Sequence, residues 1–130
     1  MSVPNLDLLC ARYGCDMAKQ VYEALKKGAE NHITRSLGVL QEDGVYAFFL
    51  YQASRGGGEK AGADRLKDLA RALLAEPILG MTSFYATNDP LAAARDLADN
   101  LDQLLLAKRL LEQALIYARY HAKALRGGSP

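Results

Sequence analysis

Tryptophan is absent from this chain, and histidine and cysteine occur twice each. No apolar run is long enough to cross a bilayer, so a membrane-spanning protein is not expected. Each scarcity removes a class of explanation. Cys10, Cys15, His32 and His121 are the whole stock of soft metal ligands, and their spacing matches no zinc pattern, so no metal or other cofactor is expected. On one helix Cys10 and Cys15 point about 140° apart, and a bond between them would require the helix to break. Reduced, buried thiols in a cytoplasmic protein are the expectation. The opening MSVPNLDLLC has no basic region followed by an apolar run, so no signal peptide is expected. A formal net charge of +1 excludes a strongly basic arm or an acidic tail. Any nucleic-acid surface must therefore come from uneven distribution of charge.

What is present favours helix. Alanine and leucine dominate, and glycine is confined to a few places. A length of 130 residues suits one domain, which hides roughly two thirds of its extended-chain surface on folding. Leu6, Leu9, Cys10, Tyr13, Met17, Val21, Ala24 and Leu25 follow the three-and-four spacing of an amphipathic helix, with Arg12, Asp16, Lys19, Glu23, Lys26 and Lys27 opposite. HITRSLGVLQEDG predicts a second helix, with Ile33, Leu37 and Leu40 inward and Gly44 as its stop. VYAFFLYQASR has strand-like aromatics but no partner strand to satisfy its backbone, so a buried helix is expected. Arg65 to Glu76 predicts a further helix closed by Pro77. Asn88 or Asp89 can cap the next one with Pro90 in its first turn. From Leu91 to Leu125 the apolar spacing fits one long helix or two broken near Asn100. The expectation is an all-α, compact single-domain bundle of five or six helices spanning residues 1–130. Gly56–Gly62 and Met81–Asp89 are expected as surface loops, and Gly127–Pro130 as a disordered tail.

Motifs with chemical meaning are few. Gly56, Gly58 and Ala61 formally satisfy a relaxed dinucleotide fingerprint, but Glu76 precedes Pro77 at a helix end and no second strand completes the unit. A phosphate-binding P-loop fails because Gly62 is followed by Ala63 and Asp64. No serine or cysteine lies in a nucleophile's local sequence, which leaves His121 as the one candidate base for an enzyme on a helical scaffold.

Charge is distributed unevenly. From Asp89 to Asp102 four aspartates stand against Arg95 alone, and Asp96, Asp99 and Asp102 line up at three-residue spacing. That spacing suits a solvated face or a contact for a basic partner better than a cation site. From Leu106 to Arg126 five bases stand against Glu112 alone. Leu104, Leu111, Ala114, Ala118, Ala122 and Leu125 form the expected core stripe there. Arg119, Lys123 and Arg126 form a second stripe with Tyr120 beside it. Such a row could pair with phosphates while the ring stacks on a base, or it could be a solvated face complementing the helix dipole. Lys19, Lys26 and Lys27 are a second candidate patch.

The order of these features resembles the small all-helical subunit of type III-B CRISPR effector complexes, the fifth protein of the Cmr series. The resemblance rests on RYGCDMAKQVYEAL, on ITRSLGVLQEDGVYAFFLYQAS, and on the closing LLEQALIYARYHAKAL, where Glu112, Ala114, Tyr117, Arg119 and Ala122 fall in the family's pattern. This chain has Tyr117 where tryptophan is common, and SFYATNDPLAAARDLADN is longer than the usual connection. The resemblance implies a non-catalytic role in antiviral defence: copies of the subunit stack along the backbone filament and help hold crRNA and target RNA. The implied partners are the backbone and large subunits, further copies of the chain, and the two RNAs. A helical adaptor that contacts protein alone is the competing expectation.

Overall fold

The computed structural model describes residues 5–127, and among them six α-helices of eight residues or more, with no strand. Helix α1 (Leu6–Leu25) begins where the Asn5 side chain accepts a hydrogen bond from the Leu8 N–H at 2.9 Å. It ends at Lys26, a non-glycine residue at φ 54, from which one turn of 3₁₀ helix leads into α2 (Ala29–Asp43). Gly44 at φ 97 then reverses the chain into α3 (Val45–Ser54), a backbone state that a side chain would resist. The aromatic segment is helical, as its lack of a partner strand requires.

Two expected loops are shorter than the sequence suggests. Helix α4 runs Lys60–Leu74, so Ala61 and Gly62 belong to a helix and Gly62 is buried. The stretch Met81–Asp89 contains the four-residue helix α5 (Ser83–Ala86), and it turns inward: Met81 and Phe84 are both buried. Burying two such side chains stabilises the fold by about 2 kcal/mol each, which outweighs the turn-forming character of Thr82, Thr87 and Asn88 around them.

Helix α6 (Pro90–Leu97) starts at Asp89, whose carboxylate accepts from the Leu91 N–H, with Pro90 in the first turn as expected. Of the two arrangements open for Leu91–Leu125, the chain adopts the broken one. Asn100 accepts from the Gln103 N–H at 3.1 Å and so opens α7 (Leu101–Gly127) as a separate helix. Gly127 is thus the last helical residue, and the rest of the expected tail lies outside the described residues.

Helix α7 is the axis of the bundle. It packs most extensively on α1, and the two run parallel: Cys10 meets Leu110, Gly14 meets Ala114 and Ala118, and Lys19 lies beside His121 and Leu125. Helix α2 runs antiparallel to α7, since Lys108 donates to the Gln41 carbonyl at one end and Arg126 pairs with Glu30 at the other. Helix α4 lies antiparallel to α1, with Leu25 against Gly62 and Tyr13 donating to Glu76 at 2.5 Å. The core centres on Phe48, Phe49 and Phe84, with Phe48 and Phe49 edge to face at 5.2 Å between ring centres.

Candidate nucleic-acid interface

Because α1 and α7 are parallel and α2 returns, the C-terminal ends of α1 and α7 and the N-terminal end of α2 converge at one end of the molecule. The two basic patches read from the sequence therefore meet there in part. Lys27 and Arg126 line one cleft of about 370 Å³, together with Glu30, Asn31 and Thr34. Lys19 lines a smaller cleft of about 180 Å³ with Cys15, His121, Ala124 and Leu125, around the flank of α7. Lys19, Lys26, Lys27 and Lys123 are exposed, and among the described residues they form no salt bridge.

Other members of the set stand differently. Arg119 is half-buried, and its guanidinium lies 5.4 Å from the ring centre of Tyr120, itself 60% exposed. That pair is an exposed cation–π contact whose ring still offers a free face. Arg126 is not free: it lies 3.0 Å from a Glu30 carboxylate oxygen. The approach does not align an N–H with that oxygen, which is buried and takes no hydrogen bond. Leu125, expected in the core stripe, is 38% exposed and lines the cleft shared with Cys15 and Lys19.

Tyr117 faces α1: its hydroxyl donates to Asp7 at 2.6 Å, which raises the phenol's pKa, and its Cβ lies against the position where a Gly14 side chain would begin. Ala114, Ala118 and Ala122 are buried on the same seam. These positions of the closing helix thus hold helices together, while Arg119 and Lys123 point away from the core.

The aspartates occupy the opposite end. Asp96, Asp99 and Asp102 are exposed and make no salt bridge among the described residues. Asp96 lines a cleft of about 440 Å³ with Ser83, Asn100 and Gln103. From Asp102 to Arg126 the rise along α7 is about 36 Å, several times the Debye length at physiological salt. The two ends therefore keep separate fields, and the molecule is polarised despite its near-zero net charge.

Of the four soft ligands, Cys15 and His121 share a cleft and the other two lie apart. Cys10 is buried and donates to the Leu110 carbonyl, and burial first and Asp7 second push its thiol up to about 11. Cys15 is half-buried rather than buried, in the cleft with the exposed His121. Both thiols are free. His32 sits between α2 and α3, where its Nε2 lies 2.8 Å from the Gln52 carbonyl oxygen. Gln52 in turn donates to Ser36 at 2.7 Å, and Ser36 donates to the His32 carbonyl. With the Gln52 amide committed to Ser36, His32 must carry its proton on Nε2, and the buried Nδ1 is left without a partner. Burial lowers the His32 pKa from 6.5, against the opposing pull of the Gln52 hydrogen bond.

Glu30, Asn31 and Thr34, which complete the Lys27–Arg126 cleft, were not legible as site residues. The one signal was their proximity in sequence to Lys26 and Lys27. No protein-family model, curated protein or solved structure matches the chain. No helix among the described residues is long and apolar enough to cross a membrane.

Proposed function

We propose that the chain is the non-catalytic small subunit of a type III-B CRISPR RNA-guided complex, which stacks along the backbone filament in the cytoplasm and helps hold crRNA and target RNA. The observation that carries this reading is the convergence of Lys27 and Arg126, from opposite ends of the chain, on one cleft, with Lys19, Lys26 and Lys123 exposed at the same end. The resemblance of the opening and closing helices to the Cmr small subunit supplies the class of complex. Cations engage phosphates by releasing counterions, so binding by the isolated chain is weak and falls steeply with salt. Tyr120 offers an open ring face beside Arg119 on which a base can stack. Arg119→Glu with Lys123→Glu weakens target-RNA affinity of the assembled complex. Unchanged affinity removes this patch from the proposal.

A second reading, a protein adaptor without RNA contact, draws on a different observation. Asp96, Asp99 and Asp102 are exposed and unpaired among the described residues, and Arg126 is already taken by Glu30. A basic neighbouring subunit, or the basic end of another copy, would complement the aspartates. Crosslinking in the complex separates the two readings, because the adaptor yields no RNA crosslinks from Lys123 or Tyr120.

A further inference from the structure

Glu30 is the acid within the basic cleft, and its placement has a consequence for how that cleft binds. It stands in the first turn of α2, where a carboxylate complements the helix dipole, but its side chain reaches across to α7. Its side chain is 21% exposed, against 51% for Arg126. The carboxylate thus lies on the floor of the cleft, and the guanidinium keeps an outer edge in solvent. Lys27, on the same cleft, adds a second cation. A phosphate entering here meets two cations and one anion, and the anion already holds the better-placed cation.

We infer that Glu30 is an internal competitor for Arg126, so that a phosphodiester must share or displace that guanidinium before it is bound. This rests on the RNA-binding reading above and deepens it by naming what limits affinity at the site. Two features make the exchange feasible. The Glu30 oxygen nearest Arg126 is buried without a hydrogen bond, so the native pair is imperfectly satisfied. A guanidinium has five N–H donors in a planar fork and can serve a phosphate from its exposed edge while still close to the carboxylate. The result is a site of low affinity and ready release, suited to a chain that contributes a few contacts among many along one RNA.

The test is a double-mutant cycle on the full chain, read by fluorescence anisotropy of a single-stranded oligoribonucleotide across a salt series. Glu30→Gln keeps the side chain's shape and removes its charge. It tightens binding about threefold at low salt, the size expected of a half-exposed ion pair. It also steepens the dependence of log affinity on log salt by about 0.7, one additional phosphate contact on single-stranded RNA. In an Arg126→Gln background the same change has no comparable effect, because the cation it releases is gone. Glu42→Gln, an exposed acid at the far end of α2, controls for net charge and leaves binding unchanged. Equal gains from Glu30→Gln with and without Arg126, or none in either background, overturn the inference while leaving the RNA reading in place. Failure of every variant to bind RNA at low salt, Glu30→Gln included, overturns the RNA reading itself and the inference with it.

Discussion

Along the α1–α7 seam the main chains approach until there is no room for a side chain at Gly14, whereas the α2–α3 seam is bridged by a chain of buried polar groups. A Cβ built at Gly14 would lie 2.7 Å from the Ala114 carbonyl oxygen and 2.7 Å from the Tyr117 Cβ. Across the other seam His32, Gln52 and Ser36 bond in sequence at 2.7–2.8 Å, all three buried. The first seam is specified by shape, with Ala114, Ala118 and Ala122 continuing it along α7. The second is specified by direction, because each donor needs its acceptor. Shape holds the two longest helices parallel and so brings the basic ends together. Hydrogen bonding fixes how α3 and its phenylalanines dock.

The sharpest way to break the first seam is Gly14→Ala. In an ordinary helix interior that change gains about 1 kcal/mol from propensity. Here the obstacle is backbone, which cannot rotate aside, so α1 and α7 must separate and overpacking wins. A net loss of about 3 kcal/mol is expected from denaturant unfolding with an unchanged slope. A gain in stability would show that the seam has slack.

The second seam breaks through a different term. Gln52→Leu keeps the volume but strips His32 Nε2–H and the Ser36 hydroxyl of their partner, at a cost of about 2 kcal/mol. The same seam carries a pH signature that the first one lacks. The folded His32 pKa lies below the unfolded 6.5, so below 6.5 the unfolded chain binds the extra proton. Stability is therefore complete above pH 6.5 and lost as pH falls toward the folded value, with Arg35 and Arg55 opposing the proton and Glu59 favouring it. Unfolding at pH 7.5 and 5.5 is the measurement. His32→Gln should flatten the difference between the two, and an equal pH dependence in the variant would move its origin elsewhere.

Neither seam was fully legible in the sequence, for reasons that differ. The phase of α1 was readable because three-and-four spacing survives any tertiary context: Cys10, Met17 and Val21 are buried, and Arg12, Asp16 and Lys19 are exposed. Gly14, in the middle of that pattern, carried no signal, since a close approach is defined by the partner helix alone. His32 and Ser36 lie four residues apart in α2, but their acceptor and donor come from α3. Gly62 was masked by its own neighbourhood, because GGGEKAG looks like a flexible loop while its last glycine serves packing. The basic residues were identifiable by type and spacing. That Lys27 and Arg126 line one cleft, and that Glu30 shares it, follows from the parallel packing of α1 and α7 and the return of α2.

Lys26 tests the junction where α1 passes into α2, between the two seams. Its φ of 54 is a state that side chains resist. Lys26→Gly should therefore stabilise the fold by about 1 kcal/mol, after allowing for the greater freedom of glycine in the unfolded chain. If Lys26 also serves the basic end, the same variant binds RNA more weakly while melting higher. A variant that melts lower would show that the lysine stem is packed at the junction.

The smallest expected effect sharpens what sets the Gly14 result apart. At Gly62 a built Cβ would lie even closer to its neighbours, 2.5 Å from both Cγ and Cδ1 of Leu25, but these belong to a side chain and not to backbone. Leu25 is only half-buried, so it can take another rotamer without moving a helix. The helix propensity gained by α4 offsets part of the displaced packing, and Gly62→Ala should change stability by less than about 1 kcal/mol in either direction. Distance alone ranks Gly62 as the worse clash; what lies at that distance reverses the order. Equal losses at Gly14 and Gly62 would mean that Leu25 is held as firmly as the α7 backbone, and that the α1–α4 contact is a third seam specified by shape.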